Sequence, residues 1–150
     1  MPLPKPDLPA LDPAIQQMLG THSSDAGGGL PRYLGIQTVD VGSGRLACEL
    51  TVRDELLNPF GSLHGGVISA LTDHVLGAVL YTVISHGSWA ATTEFKLNLL
   101  APIRTGTVRA ESEIISMTKR TAVVRVEITN DGRGAGVAQG TVLIMAPKAS

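Results

Sequence analysis

The feature that most constrains this chain is a run of twenty residues, Gly65 to Ile84, built almost wholly of Val, Ile, Leu, Ala and Gly. It is entered through a polar, glycine-rich turn, Asn58-Pro-Phe-Gly-Ser-Leu-His-Gly-Gly, and carries one acid, Asp73. A segment of this length and composition is a buried helix or a membrane span. Asp73 and His74 at its centre, with strand-like sequence after it, favour the buried helix. A helix apolar on every side has to be wrapped or covered by other elements. In such surroundings an unpaired carboxylate is costly, so Asp73 is expected to find a partner or to titrate abnormally.

The rest of the chain supplies a sheet to do the wrapping. Leu46, Cys48, Leu50 and Val52 alternate with Arg45, Glu49, Thr51 and Arg53, the mark of a strand with one wet face. Beyond the helix, Phe95, Leu97 and Leu99 alternate with Glu94, Lys96 and Asn98, predicting a strand near 89–100 that Pro102 to Gly106 breaks. Val108 to Ser116 and Ala122 to Ile128 are further runs. Asn130-Asp-Gly132 reads as a hairpin turn into a last strand, Ala135 to Met145. Upstream, Asp12-Pro13 and Gly20 bracket a short helix near 13–19, and Thr21 to Pro31 reads as a glycine-rich loop. Short turns imply antiparallel neighbours. The predicted class is α+β: a curved antiparallel sheet of five to six strands around one long central helix.

Composition narrows the function. The 150 residues suit one domain with a real core, and a formal net charge of -1 with 3 % aromatic residues gives no footprint for nucleic acid. The single cysteine, Cys48, cannot form an internal disulfide, and no Cys/His cluster has metal spacing, so neither metal nor cofactor is expected. The proline-rich start does not read as a signal peptide, and a cytoplasmic protein without membrane partners is expected.

The helix geometry points to chemistry. Starting near Gly65, its first free backbone N–H groups belong to Gly65, Gly66 and Val67, a ready donor site for an oxyanion. Asp73 lies eight residues later, roughly 12 Å down the axis and turned roughly 80° away. One subunit cannot aim both groups at one carbonyl. If both act on the same atom, the acid comes from a second copy of the helix across a two-fold axis.

At these residues the chain resembles the hotdog-fold acyl-CoA thioesterases, in the PaaI-like branch. The resemblance is carried by Asn58, Gly61, His64-Gly65-Gly66, Asp73 and the strand Ala91 to Pro102, and covers about 33–146. It implies a hotdog domain over 31–150 behind a proline-rich segment, 1–30, and a homodimer that commonly pairs into a tetramer. It implies that Gly65 N–H polarises the thioester carbonyl of an acyl-CoA while Asp73 of the neighbouring subunit acts as base or nucleophile. By the same likeness Asn58 would place water or thioester, His64 would hold the turn and Asn58, and Thr92 would orient the reacting groups, with Thr93 its nearest rival. Gly66, Phe60 and Thr93 are assigned to substrate binding. Strict alternation puts Thr92 on the face of Glu94 and Lys96, which counts against Thr92 if that face is wet.

Plainer readings stand beside these. Asp73 would otherwise be a structural carboxylate bonded to backbone or Thr72, His64 a turn histidine, and Gly65-Gly66 a place where packing forbids a Cβ. His74 points about 100° from Asp73 and reads as a packing residue, Cys48 as an inert core residue, and Ser62 and Ser69 lack a nucleophile-elbow setting. Phe60, Tyr81 and Trp89 are candidates for lining an acyl pocket or for packing. Two other functions fit the same fold: an acyl-CoA binding protein without turnover, and an enoyl-CoA hydratase or dehydratase using His64 and Asp73.

Overall fold

The chain opens its regular structure at the predicted cap, where Asp12 Oδ1 accepts the Ala14 N–H at 2.8 Å. The computed structural model describes residues 3–21 and 28–149. Helix α1 spans Pro13–Thr21, so Gly20 lies within the helix and does not end it. Part of the predicted loop, 22–27, lies outside the described residues, but its last residues are helical: α2 spans Gly29–Leu34. The reason is long-range. Arg53 donates to the carbonyls of Leu34 and Tyr33, acceptors a helix end leaves free, and its guanidinium stands 5.5 Å from the Tyr33 ring centroid. Gly35, at φ 73°, closes the helix with its N–H on Arg32 O.

Six strands form one antiparallel sheet: β1 Gln37–Gly42, β2 Arg45–Thr51, β3 Trp89–Leu99, β4 Thr107–Met117, β5 Thr121–Asn130 and β6 Arg133–Met145. Their order is β1-β2-β4-β5-β6-β3, which leaves β1 and β3 as the two edges. The Asn130-Asp131-Gly132 turn forms as predicted, with φ 47° at Asp131 and 79° at Gly132. The long helix, α3, spans Gly65–Ala78 and tightens into a 3-10 turn over Val79–Thr82. The curved sheet wraps it: α3 packs against β2, β3, β4, β5 and β6. Leu71, Val75, Leu76 and Leu80 from the helix meet Leu46, Leu50, Val108, Ile114, Val124 and Val142 from the strands in one core. This is the hotdog arrangement, with all six strands present.

The helix is not buried on every side. Ile68, Leu71, Thr72, Val75 and Leu76 are buried, but Gly66 and Asp73 are exposed and Ser69, Ala70 and Gly77 only half-buried. With 3.6 residues per turn, these five form one stripe. Asp73 is therefore solvated in the single chain, and the expectation of a buried carboxylate is corrected. No helix among the described residues is long and apolar enough to cross a membrane.

Candidate active site

The turn before α3 is built by Asn58. Its Oδ1 accepts the Phe60 N–H at 2.9 Å and the Ser62 N–H at 3.2 Å, while its own N–H donates to Ser62 O at 2.7 Å. Phe60 projects from the tip, 86 % exposed. The far side of the turn is held by Leu63 N–H on Ile103 O and His64 N–H on Leu56 O. Asn58 is thus held by its own turn, and among the described residues it makes no hydrogen bond with the His64 side chain.

His64 instead caps the helix. Its Nδ1 accepts the Gly66 N–H at 2.8 Å, which requires the ring proton to sit on Nε2. Its carbonyl accepts the Val67 N–H at 2.9 Å. Two of the three N–H groups expected to be free are therefore used. Among the described residues, the Gly65 N–H alone of these three has no acceptor. A Cβ on Gly66 would stand 3.0 Å from His64 Nδ1, so glycine there protects the cap. A Cβ on Gly65 would meet the tip of Leu99 at 3.3 Å. Exposed Leu99 and Leu100, at the end of β3, give this mouth an apolar rim.

Asp73 stands on the open stripe of α3, eight residues along an unbroken helix, and among the described residues its carboxylate makes no hydrogen bond or ion pair. Ser69 spends its hydroxyl on Gly65 O at 2.9 Å, and Thr72 on Ile68 O at 2.8 Å. Neither holds Asp73. His74 beside it is half-buried, and burial lowers its pKa against the opposing pull of the Asp73 charge.

Thr92 is where alternation misleads. β3 carries a bulge: Thr92 pairs with Val142 and Glu94 with Thr141, so Thr93 is the extra residue. One inserted residue reverses the faces on either side of it. Glu94, Lys96 and Asn98 stay outward and exposed, whereas Thr92 turns inward with its Oγ1 3.9 Å from a Cβ placed on Gly77. Gly77 is one turn beyond Asp73, so Thr92 sits beside the open stripe. Thr93 bonds Thr141 O at 3.0 Å, which commits its hydroxyl to β6.

Cys48 is buried in the core, hydrogen-bonded with Thr38 Oγ1, and burial pushes its thiol up to about 11. Among the described residues no group of three or more His, Cys, Asp or Glu stands together as metal ligands would. A hollow of about 620 Å³ lies at the other end of the fold. It is lined by Val83, Ile84, Met117 and Leu143, with Lys119 and Arg120 from the β4–β5 turn. The sequence did not single out these two cations. Arg125, by contrast, is paired with Glu127 at 3.1 Å.

The sequence model of the thioesterase superfamily matches residues 60–137. The 1,4-dihydroxy-2-naphthoyl-CoA hydrolase of Listeria monocytogenes is 33 % identical over 103 residues, spanning 69 % of this chain and 84 % of its own. Human acyl-coenzyme A thioesterase 13 is 28 % identical over 111 residues, 73 % of this chain and 79 % of its own. In fold, the PaaI protein from the phenylacetic acid degradation operon of E. coli matches with a TM-score of 0.78, covering 91 % of this chain and 96 % of that one at 21 % identity.

Proposed function

The chain belongs to the thioesterase superfamily and is a thioester hydrolase, and from that premise we propose that it cleaves acyl-CoA at the N-terminus of α3. The Gly65 N–H of one subunit receives the developing oxyanion, and Asp73 of a second subunit acts as general base or nucleophile. The observation that carries this reading is the free Gly65 N–H in a first turn whose next two donors are used by His64. The long unpaired edge of β3 and the open stripe of α3 support a second copy as the source of the acid.

Thr92, beside the stripe, orients water or carboxylate, and Asn58 shapes the turn that presents Gly65. Both relatives above are named for cleavage of CoA thioesters, which supports CoA as the leaving thiol. Its anionic end suits Lys119 and Arg120, which have no ion-pair partner among the described residues. The hollow they line lies at the start of β3, and antiparallel self-pairing carries that end toward the Leu99 mouth of the second copy. Phe60, Leu99 and Leu100 supply apolar surface for the acyl group.

Thiol release from short, medium, long and aryl acyl-CoAs tests the proposal. Asp73→Asn should lower turnover about 10²- to 10⁴-fold with the assembly intact. Gly65→Pro removes the free N–H at a position whose backbone suits proline, since His64 already holds the extended conformation, φ -60° and ψ 133°, that a following proline requires, and its added Cβ meets only the flexible tip of Leu99. It should cost about 10²- to 10³-fold. Wild-type turnover in either variant would overturn the assignment of that residue.

A further inference from the structure

The Gly65 N–H is held in place from outside its own helix. Leu63 N–H, two residues upstream, donates to Ile103 O at 2.6 Å, and Ile103 is buried. Ile103 stands in the middle of the irregular connection 100–106 between β3 and β4. That connection begins directly after Leu99, whose tip is nearest a Cβ placed on Gly65. The Gly65 N–H is therefore no better placed than this connection is. Irregular backbone is fixed by what its polar groups bond to. At its start Leu100 N–H donates to Ala135 O at 2.9 Å, and at its end Gly106 O accepts the Val52 N–H at 2.9 Å.

Further ties come from the turn between β5 and β6. Asn130 Nδ2 donates to Thr105 O at 2.9 Å and to Thr107 O at 3.2 Å, so one amide grips both sides of Gly106. Asp131 Oδ1 accepts the Thr107 N–H at 2.9 Å, and Asp131 N–H donates to Thr107 O at 3.0 Å. Gly106 has φ 86°, and a Cβ there would fall on the Asp131 carboxylate, so the grip leaves room for glycine alone at the bend. The amide of Asn130 is not needed to turn its own hairpin. Asn130 is still paired in β5 opposite Arg133, and the positive φ values fall on Asp131 and Gly132. The asparagine that the sequence offers as a turn former is half-buried, with its amide given to a different loop. We infer that Asn130 is a positioning residue for thioester cleavage: it acts through Ile103 O and Leu63 N–H on the Gly65 N–H and touches no reacting atom. This rests on the reading of Gly65 as the oxyanion donor and adds what holds that donor in place. Misplacing a catalytic group by about 1 Å can cost about 10²-fold in rate. Without the amide, Thr105 O is left to water while Thr107 O keeps the Asp131 N–H, so the connection slackens without coming free.

A double-mutant cycle on the full-length protein tests this, read as thiol release from acyl-CoA. Asn130→Ala should lower kcat about tenfold with KM within about twofold. In a Gly65→Pro background, where the N–H is already gone, the same substitution should change kcat by less than about twofold. Asn130→Asp keeps the side-chain volume, removes the donor and should behave alike. Gly44→Ala, at the other end of α3 where Gly44 N–H bonds Thr82 Oγ1, should leave kcat within about twofold and so separates positioning from general loss of stability. Hydrogen exchange needs no turnover: measured against the core amide of Val124, the Leu63 amide should exchange about tenfold faster in either Asn130 variant. Wild-type kcat in both Asn130 variants overturns the inference, as does the same fold loss in the two backgrounds or a Leu63 amide that exchanges no faster. Low turnover of Gly65→Pro with an additive effect of Asn130→Ala keeps the donor and loses its positioning residue. Full turnover of Gly65→Pro loses both.

Discussion

β1 and β3 are the two edges of the same sheet, and the chain treats them differently. β1 has six residues, is bulged between Thr38 and Asp40, and is packed by α1. The turn that ends it is strapped by the N-terminal segment, where Ser43 Oγ donates to Pro9 O and Leu8 lies against Gly44. β3 has eleven residues, only Tyr81 OH on the Ala90 N–H near its start, exposed Trp89 and Leu99 at its ends, and Glu94 and Lys96 between them without an ion-pair partner among the described residues. Short, bulged and covered edges resist pairing, whereas long bare ones invite it. The contrast teaches that the chain covers one edge of its sheet itself and leaves the other without a strand partner among the described residues. The exposed stripe of α3, with Asp73 on it, lies beside β3 through Thr92 and Gly77.

Matched glycine substitutions test that contrast most severely. A Cβ on Gly140 would stand 2.6 Å from Glu94 O and 2.7 Å from Phe95 Cβ, beneath the open edge. Gly140→Ala should cost toward the upper end of the about 1–3 kcal/mol typical of overpacking, displace β3 and weaken dimerisation, as chemical denaturation and sedimentation would show. Gly44 has φ 67°, and a Cβ there would meet the flexible tip of Leu8 at 2.3 Å. Gly44→Ala should cost about 1–2 kcal/mol through its backbone while leaving the oligomer unchanged. An equal loss of assembly in both would erase the distinction between the edges.

The bulge gives a smaller test at the same edge. Thr92→Val should lower kcat about tenfold or more with KM little changed, because the hydroxyl faces the Asp73 stripe, whereas Thr93→Val should leave kcat within about twofold. Reversed effects would mean that the bulge resolves to the other face when the second copy binds.

The smallest effect concerns pH. Burial holds the His74 pKa below its ordinary 6.5, so the folded chain binds fewer protons than the unfolded one just below that pH. Stability should be full above pH 6.5 and fall as pH drops toward the folded value. His74→Gln should flatten that part of the profile in thermal unfolding across pH 5 to 8. An unchanged profile would assign the acid sensitivity elsewhere.

Most of the fold is legible in the residues because it is written in local periods. Period-two alternation placed Arg45–Thr51, Ala122–Ile128 and the β3 segment Glu94–Leu99, and an apolar run behind a glycine-rich turn placed α3. Asn-Asp-Gly placed the last hairpin, since few residues accept positive φ. The candidate site residues Asn58, His64, Gly65 and Asp73 stood out because they are polar groups and a glycine in and before an otherwise apolar helix. The helix at Gly29–Leu34 was missed because its end is capped by Arg53, far along the chain.

The amino-acid sequence by itself determined the long central helix and the strands that follow it, the hotdog class and the eight-residue offset between Gly65 and Asp73 that one helix cannot close on one atom. Tertiary structure alone decided that Asp73 lies on an open stripe, that His64 uses the Gly66 N–H and leaves Gly65 free, and that Thr92 faces inward. Each of these is a relation between elements. A bulge exists only against a neighbouring strand, a free donor only after its rivals are bonded, and an exposed helix face only once the sheet has closed around the rest.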